Sequence, residues 1–251
     1  MDNSLEVDGL TVCYSGDAAL WDASFSVARG SLMAVVGPNG AGKTTLIKAV
    51  QNLVPRAAGE VLFFGGRYEA ARRSVAYVPQ RGNVDWNFPA SVKDVVQMGT
   101  YPSLGWIRRP GKKERRRTFE ALEKTGLARL AGRQIGELSG GQRQRVFIAR
   151  ALAQDASLYL MDEPFQGVDK TTETAVARLM REMRDGGKTV VAVHHDLGTV
   201  PDYFDSVTLL NRNVIASGGV SGVFTDENIR RAYSSPASAT EGKRGGVRSN
   251  P

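Results

Sequence analysis

The chain alternates between short, continuous apolar runs and longer stretches in which apolar residues recur every three or four positions. Three runs have the length and composition of buried strands: 31–36 (SLMAVV), 157–164 (SLYLMDEP) and 188–196 (KTVVAVHHD). Two more runs predict further strands: 59–66 (GEVLFFGG) and 74–80 (SVAYVPQ). Helical spacing separates them at 43–54, where Leu53 is the last apolar position of the pattern, and again at 171–184. This alternation predicts a mostly parallel sheet with helices on both faces.

Two other patterns complete the outline of the chain. Segments 5–14 (LEVDGLTVCY) and 23–30 (ASFSVARG) alternate apolar and polar positions, which suggests an antiparallel strand layer at one side of the sheet. The middle, 85–153, carries three helical patterns and no convincing strand, so we predict a helical subdomain inserted into the α/β core. The last residues, 234–251, hold only Val247 as a sizeable aliphatic side chain and are predicted to be disordered.

Composition narrows the class of protein. With 41% hydrophobic and 24% charged residues in a chain of 251, the protein is of the ordinary globular type. Its single cysteine, Cys13, excludes an intramolecular disulfide, and no apolar run reaches the roughly 18 residues that a membrane span needs. Because the N-terminus lacks the basic and apolar regions of a signal peptide, we expect a cytoplasmic protein, either soluble or held at a membrane by a partner.

Positive charge is concentrated in one segment. The net charge of +7 permits nucleic acid, anionic lipid or nucleotide as partners, and it does not choose between them. Much of the excess lies at 106–117 (WIRRPGKKERRR), which has seven basic residues and one acid. Two interpretations stay open for this segment: a solvated loop with the start of a helix, or a surface that contacts lipid headgroups.

The segment 37–44 (GPNGAGKT) matches the pattern G-x-x-x-x-G-K-[ST] in the context that the pattern requires, after a strand and at the start of a helix. Its glycines let successive backbone N–H groups point at a chain of phosphates, and the helix adds the positive end of its dipole. Lys43 supplies a cation for the β- and γ-phosphates, and Thr44 a hydroxyl for Mg²⁺. The sequence therefore predicts a phosphate-binding loop and not merely a tight turn.

The run that ends in MDEP places two carboxylates at the carboxyl end of a predicted strand. Asp162 is predicted to hold Mg²⁺ through water. Glu163, on the opposite face of the strand end, is the candidate base for the attacking water. A strand that runs into a helix cap would explain the same residues taken alone, but the phosphate loop elsewhere in the chain favours the catalytic interpretation.

The chain has two histidines, His194 and His195, which are adjacent. In an extended strand their side chains face opposite sides, so both cannot serve one site. One of them, at the end of the strand, is a candidate for contact with a γ-phosphate, and a structural role is the alternative for each. The sequence has no H-x-x-H pattern and no Cys/His cluster, so a structural zinc site is not predicted.

A second glycine pair lies far from the first loop, at 139–142 (SGGQ). The segment has the composition of a capping box, with Ser139 at the N-cap and Gln142 three residues later. Paired Gly140 and Gly141 in the first turn reduce helix stability, which an ordinary capped helix does not explain. Because these small residues let an anion approach the helix N-terminus closely, the segment is a second candidate for anion binding.

Three motifs in this order, GPNGAGKTT (37–45), LSGGQ (138–142) and LYLMDEP (158–164), resemble the ATP-binding subunit of an ABC transporter, and the resemblance covers essentially residues 5–235. It implies an α/β fold of the P-loop NTPase (RecA-like) class, with a mostly parallel sheet, an N-terminal antiparallel β layer and an inserted α-helical subdomain. It implies a single domain over 1–233, ATP and Mg²⁺ as cofactors, and ATP hydrolysis as the activity.

In that family two ATP-binding domains pack head to tail, and each ATP lies between the phosphate loop of one chain and the LSGGQ of the other. The resemblance therefore implies that Ser139, Gly140 and Gly141 bind the γ-phosphate of a nucleotide seated on a partner chain. It implies a homodimer with shared ATP sites, together with separate integral membrane permease subunits.

Further positions match functional residues of the family. Tyr14 resembles the aromatic residue that stacks on adenine, and Gln80 resembles the glutamine that joins Mg²⁺ and the water to the region in contact with the membrane subunits. Asp169 resembles the acid that communicates across the dimer, and His195, followed by Asp-Leu, resembles the switch histidine, which favours it over His194.

The predicted site combines the residues from the motifs and from the resemblance. The predicted catalytic residues are Lys43, Glu163 and His195. The predicted metal-binding residues are Thr44, Gln80 and Asp162. The predicted nucleotide-binding residues are Tyr14, Gly37, Pro38, Asn39, Gly40, Ala41, Gly42, Lys43, Thr44, Thr45, Gln80, Ser139, Gly140, Gly141, Gln142 and Asp169.

Segments outside the ATP site, 78–110 and 135–169, resemble the ATPases of bacterial manganese, zinc and iron importers that work with a metal-binding solute receptor. The resemblance implies a subunit at the cytoplasmic face of the cell membrane that powers uptake of manganese or zinc, with iron as a third candidate. Two alternatives stay open: an ABC ATPase of another importer or of an exporter, and one that acts on nucleic acid. No nucleic-acid partner is expected, because the chain has neither tandem ATPase domains nor a long coiled coil.

Overall fold

A computed structural model of the chain describes residues 2–80, 88–105 and 108–234. Its central sheet has the strand order β5-β6-β7-β3-β8-β9. These strands are β3 (Leu32–Val36), β5 (Val75–Val78), β6 (Leu158–Met161), β7 (Thr189–Val193), β8 (Ser206–Asn211) and β9 (Asn213–Gly219). Neighbouring strands are parallel from β5 to β8, and β9 is antiparallel to β8. Every residue of β3, β6 and β7 is buried, so the mostly parallel, covered sheet that the apolar runs predict is confirmed.

A second, antiparallel sheet has the order β2-β1-β4, formed by β1 (Asn3–Tyr14), β2 (Asp17–Ala28) and β4 (Ala58–Phe63). The N-terminal antiparallel layer is therefore confirmed, and β4 joins it rather than the parallel sheet. Helix α1 (Lys43–Val50) packs between the two sheets, where Leu46 and Ile47 share one core with Leu10, Met33 and Val191.

Helix α1 ends earlier than its apolar pattern predicts. Its last residue is Val50, and Asn52 has a left-handed φ of 58°. An asparagine in this conformation stops a helix because the next residues can no longer continue the backbone hydrogen bonds. Leu53 consequently lies beyond the helix and is 59% exposed, so the prediction of helix over 43–54 is wrong for its last residues.

The remaining helices are α2 (Tyr68–Ala71), α3 (Val92–Met98), α4 (Tyr101–Leu104), α5 (Lys112–Lys124), α6 (Gly140–Gln154), α7 (Lys170–Asp185), α8 (Val200–Tyr203), α9 (Val220–Val223) and α10 (Asp226–Tyr233), with short 3-10 turns at Arg72–Ser74, Ala128–Leu130, Ile135–Glu137 and Leu197–Thr199. Helices α3, α5 and α6 share a core of their own, built on residues such as Val96, Leu122 and Val146. Phe147 and Ile148 of α6 also enter the core of the central sheet, so α6 anchors this helical block to the rest of the molecule.

Residues 106–107 of the basic segment and residues 235–251 of the predicted tail lie outside the described part of the chain. Within the described part of the segment, Lys112, Lys113 and Arg116 are exposed, and Arg117 bonds to Asp155 at 2.8 Å. None of the helices in the described residues is both long enough and apolar enough to cross a membrane.

Candidate functional site

The phosphate loop connects β3 to α1 and fits tightly against its neighbours. A Cβ atom at Gly37 would lie 1.9 Å from the carbonyl oxygen of Leu210, and one at Gly42 would lie 2.5 Å from that of Ala19. Gly42 also has a left-handed φ of 92° as the N-cap of α1. Glycine is therefore required at both positions by the close approach of other backbone, while Asn39 and Gly40 are exposed to solvent.

The underside of this loop is held by the turn between β8 and β9. The backbone N–H of Arg212 donates to the carbonyl of Ala41 at 2.9 Å, and the carbonyl of Arg212 accepts from the N–H of Trp21 at 2.7 Å. Arg212 has a left-handed φ of 62°. The sequence gives no signal for this role because the contacts use backbone atoms alone.

The side chain of Lys43 is buried beneath the loop. Its Nζ donates to the carbonyl oxygens of Gly37 at 2.7 Å and Pro38 at 2.9 Å. Burial lowers the pKa of Lys43 below its ordinary value, and the nearby carboxylates of Glu163 and Asp162 oppose that change. The cation that the motif predicts is thus present within the electrostatic reach of both acids.

Asp162 follows the last residue of β6 and is almost completely buried. Its Oδ1 accepts a hydrogen bond from the Thr44 hydroxyl at 3.2 Å, and its buried Oδ2 has no hydrogen-bond partner in the described part of the chain. Burial raises the pKa of Asp162, and the bond from Thr44 opposes this. A carboxylate with one unused buried oxygen beside a hydroxyl is an oxygen donor set that fits Mg²⁺.

Glu163 and Gln80 meet at the same edge of the sheet. The Gln80 Nε2 donates to Glu163 Oε2 at 3.0 Å and to Gln166 Oε1 at 3.3 Å. The pairing follows from the parallel register of β5 and β6, which sets Val78 beside Met161, each two positions before one of the two polar residues. Glu163 has a left-handed φ of 52°, so its backbone leaves the extended path of the strand.

Ser139 and Gln142 form the predicted capping box at the start of α6. The Gln142 Oε1 accepts from the backbone N–H of Ser139 at 2.9 Å, and the Ser139 Oγ accepts from the N–H of Gln142 at 3.3 Å. Ser139 and Gly140 are exposed. A Cβ at Gly141 would lie 3.4 Å from the Oγ1 of Thr172, so this helix start adjoins the start of α7.

Asp169 is the N-cap of α7. Its Oδ1 accepts from the backbone N–H of Thr172 at 2.9 Å and its Oδ2 from the Thr172 hydroxyl at 2.9 Å. The first of these bonds is the main cause of the lowered pKa of Asp169. Asp169 is thereby fixed beside the SGGQ helix start.

The two histidines lie just beyond β7, which ends at Val193, and not within an extended strand as the pattern suggests. His194 is buried and His195 is exposed, so they do face different surroundings. Burial lowers the pKa of His194 to about 4, and the neighbouring His195 adds to this effect. Tyr14, at the end of β1, is 45% exposed and accessible for stacking.

The structure therefore gathers the predicted residues into two groups. Lys43, Thr44, Gln80, Asp162 and Glu163 come together at the carboxyl ends of the central strands. The capping box of α6 and Asp169 come together at the starts of α6 and α7. Three further contacts have no signal in the sequence: Gln166 with Gln80, Arg212 with the phosphate loop, and Thr199 with His194.

A groove of about 690 Å³ lies on the side of the Gln80 strand, between the sheet and the helical block. Its lining includes three tyrosines and three arginines: Tyr68, Arg72, Arg73, Tyr77, Tyr101 and Arg150. No acid is among the lining residues that the structure describes. Burial and the charge of Asp162 raise the pKa of Tyr77 to about 12, so this face of the groove adjoins the edge of the sheet that carries Asp162.

Comparison with known proteins places this site in a family. Residues 20–166 match the family described as ABC transporter. The chain is 54% identical over 242 residues to the zinc transport system ATP-binding protein TroB of Treponema pallidum, with 96% of this chain and 91% of that protein covered. It is 49% identical to the manganese transport system ATP-binding protein MntB of Listeria innocua, with 91% and 95% covered.

More distant likeness agrees with these matches. The chelated iron transport system membrane protein YfeB of Yersinia pestis is 44% identical, with 91% of this chain and 78% of that protein covered. An inward-facing structure of a metal-chelate type ABC transporter superposes with a TM-score of 0.81 at 29% identity, with 92% of this chain and 89% of that chain covered. The chain therefore belongs to the ABC transporter family, as one of its ATP-hydrolysing subunits.

Proposed function

We propose that this chain hydrolyses ATP to power the uptake of a divalent metal ion, manganese or zinc or alternatively iron, through separate membrane permease subunits. The observation that carries the ATPase part is the assembly of Lys43, Thr44 with Asp162, and Gln80 with Glu163 at one edge of the sheet. The metal is inferred from relatives named for zinc, manganese and chelated iron transport. Within the described residues, no group of three or more His, Cys, Asp or Glu side chains is placed to hold a metal ion.

In the proposed mechanism, the phosphate loop and Lys43 bind the β- and γ-phosphates of ATP, while Tyr14 stacks on the adenine. Thr44 and Asp162 would hold Mg²⁺, with Gln80 beside them, and the ion would neutralise phosphate charge. Glu163 accepts the proton of the attacking water. Its carboxylate is already oriented by the bond from Gln80, and His195 is proposed to contact the γ-phosphate.

The complete site is proposed to need a second copy of the chain. Ser139 and Gly140 are exposed at the start of α6, and Gly141 follows them, so small residues surround the positive end of the helix dipole. We propose that it binds the γ-phosphate of the nucleotide on a partner chain in a head-to-tail homodimer, with Asp169 beside that contact. ATP then closes the dimer, and hydrolysis reopens it.

Coupling to transport is proposed to run through the groove beside Gln80. Its tyrosines and arginines suit a permease segment that carries apolar and acidic side chains. The chain would then lie at the cytoplasmic face of the cell membrane, bound to the permease, and would act with a metal-binding solute receptor indirectly. Residues 1–233 are proposed to form one ATPase domain, with the helical block over about 85–153 as its inserted subdomain.

Metal uptake in a strain that lacks this chain tests the proposal. The strain is supplied with manganese, zinc and iron in turn, and uptake of one of them should return with the wild-type chain. Lys43→Ala should fail to restore it because ATP no longer binds tightly, whereas Lys93→Ala, an exposed lysine in the helical block, should restore it. Micromolar ATP affinity in Lys43→Ala, measured by calorimetry, would count against the assignment of the phosphate loop. Equal uptake with and without the chain for all three metals would refute the transport role.

A further inference from the structure

His194 is a buried histidine next to an exposed one, and the proposed mechanism does not use it. Its side chain is almost completely inaccessible to solvent, while that of His195 is open. The two ring centroids lie 5.8 Å apart. The position of His195 is therefore tied to that of a side chain that packing holds in place.

The hydrogen bonds of His194 favour one tautomer. Its Nε2 lies 2.7 Å from the Thr199 Oγ1, and that hydroxyl also lies 3.2 Å from the backbone carbonyl of Asp196. Both hydrogen bonds form together only if the Nε2–H of His194 donates to Thr199, because the hydroxyl has a single proton to give to Asp196. The buried Nδ1 has no hydrogen-bond partner among the described residues, which agrees with this tautomer of a neutral ring.

The ring of His194 also packs against aromatic residues from other elements. Phe165 meets it edge-on at 5.1 Å, and Phe204 lies at 5.4 Å. Phe165 comes two residues after Glu163. The third neighbour, Tyr203, has its centroid 6.5 Å away and donates its hydroxyl to Glu173 of α7 at 3.0 Å.

One buried ring thus joins three parts of the proposed site. It packs on the segment that follows Glu163 and fixes the turn at Asp196 that follows His195. Through Tyr203 it reaches the first turns of α7, the helix that Asp169 caps. A neutral imidazole suits this position, since an apolar aromatic environment penalises a charged ring.

We infer that His194 is a positioning residue for the ATPase reaction: its neutral ring holds the turn after His195 and the segment after Glu163 in a fixed mutual arrangement. The inference rests on the proposed role of His195 at the γ-phosphate. His194 is not proposed to touch the substrate. Removing its side chain should therefore lower turnover through His195, while nucleotide binding, which depends on the phosphate loop, stays unchanged.

A double-mutant cycle tests this inference. His194→Leu should lower kcat by about tenfold or more while the Kd for ATP changes by less than about threefold, because the loss falls on geometry needed for turnover. In a His195→Ala background, His194→Leu should lower kcat by less than about twofold more, since residues that act as a unit are not additive. His194→Gln, which can place an amide donor near the position of Nε2, should recover most of the activity.

Two further variants cover the case in which His194→Leu does not fold. Thr199→Val removes the acceptor for Nε2 and should lower kcat in the same way, whereas Thr199→Ser keeps the hydroxyl and should not. Two results would overturn the positioning role if His195→Ala alone still lowers turnover. One is that the kcat losses of the two single variants multiply in the double variant. The other is that His194→Leu and His194→Gln have equal activity. Unchanged turnover in His195→Ala would overturn both this inference and the proposed role of His195.

Discussion

Glu163 combines a catalytic assignment with an uncommon backbone conformation. Its left-handed φ of 52° costs a non-glycine residue roughly 1 kcal/mol. In return, the chain turns immediately after β6, and the carboxylate reaches the Gln80 amide at 3.0 Å. Such strain persists only when the surroundings fix the residue, and here Gln80 contributes to that fixation. The geometry therefore favours a carboxylate whose orientation matters, as a general base requires.

Replacing Glu163 by glutamine removes the proposed base and keeps the size of the side chain. We expect Glu163→Gln to reduce ATP turnover by roughly 10² to 10⁴ while ATP binding persists, because the base acts only in the chemical step. Turnover is measured by phosphate release and binding by calorimetry. Glu60→Gln, at an exposed position on β4, is the control and should behave as wild type. Near-normal turnover of Glu163→Gln would exclude the role given to Glu163.

Protonation of His194 should make stability depend on pH. Its pKa is about 4 in the folded chain and about 6.5 when unfolded. Well above pH 6.5 the ring is neutral in both states, and its contribution to the free energy of unfolding is fully present. As the pH falls from 6.5 towards 4, the unfolded chain binds a proton that the folded chain excludes, and up to about 3 kcal/mol is lost.

His194→Gln cannot titrate, so it should lose less stability than wild type on acidification. Between pH 7 and pH 4.5 the free energies of unfolding of the two proteins should converge by about 2 kcal/mol. Urea unfolding at a series of pH values measures both, and the subtraction cancels the titration of the shared carboxylates. Parallel curves would show that His194 does not titrate as its burial requires.

At the scale of elements, the starts of α6 and α3 form a matched pair. Both begin with a serine that forms a capping box, Ser139 with Gln142 and Ser91 with Asp94. The difference is that two glycines follow Ser139. The same substitution at the two serines therefore removes the same kind of cap, and it separates helix stability from any role in assembly.

Ser139→Arg should leave ATP binding to the single chain intact and prevent an ATP-dependent dimer, because the long side chain covers the helix start that the partner's phosphate approaches. Ser91→Arg should lose a similar ~1 kcal/mol of capping and still dimerise. Light scattering in the presence of ATP, with Glu163→Gln in both variants to prevent hydrolysis, measures the mass. A dimer formed by the Ser139→Arg variant would refute the shared site.

The sequence predicts elements well where one local pattern decides them. The runs that became β3, β6 and β7 are buried on both faces, so continuous apolar residues suffice to predict them. Strand β8 is also buried, but Thr208 interrupts its apolar run, so the pattern does not predict it. Strand β9 is only half buried, contains Gly218 and Gly219, and has no such run. Strand β4 joins the antiparallel sheet because it pairs with β1, which lies some fifty residues earlier in the chain. Local periodicity cannot predict such a long-range pairing.

The candidate site shows the same difference between features set by local sequence and features set by long-range contacts. The positions of Lys43 and Thr44 can be predicted because both belong to one local motif, and that of Asp162 because it follows a buried strand. Arg212 and Thr199 could not be predicted because one contributes backbone atoms and the other a single hydroxyl. Such contributions leave no distinctive residue pattern.

On the scale of the whole molecule, α6 connects the two proposed interfaces. Its first residues follow Ser139, and Arg150, Ala151 and Gln154 near its end line the groove. A helix of 15 residues is about 22 Å long and moves as one body. We propose that a displacement of the partner's nucleotide at one end of α6 is transmitted in this way to the permease at the other end.

Reversing one charge in the groove should uncouple these events. Arg150→Glu should reduce metal uptake and co-purification of the permease, because an acid replaces a base in a lining that has no other described acid. The ATPase rate of the isolated chain should stay within about twofold of wild type, since surface substitutions away from a site have small effects. Arg129→Glu, at an exposed position outside the groove, is the control. Normal uptake in Arg150→Glu would exclude the groove as the coupling surface.

The turn at Arg212 beneath the phosphate loop links the loop to a fluorescent side chain. Trp21 is joined through the backbone of Arg212 to Ala41 of the loop, and its indole is 62% exposed. Part of the side chain remains covered, so a shift of the loop on nucleotide entry that alters this cover should change the wavelength and intensity of its fluorescence. With Trp86 and Trp106 replaced by phenylalanine, this natural chromophore would report loop occupancy in real time, without any attached label.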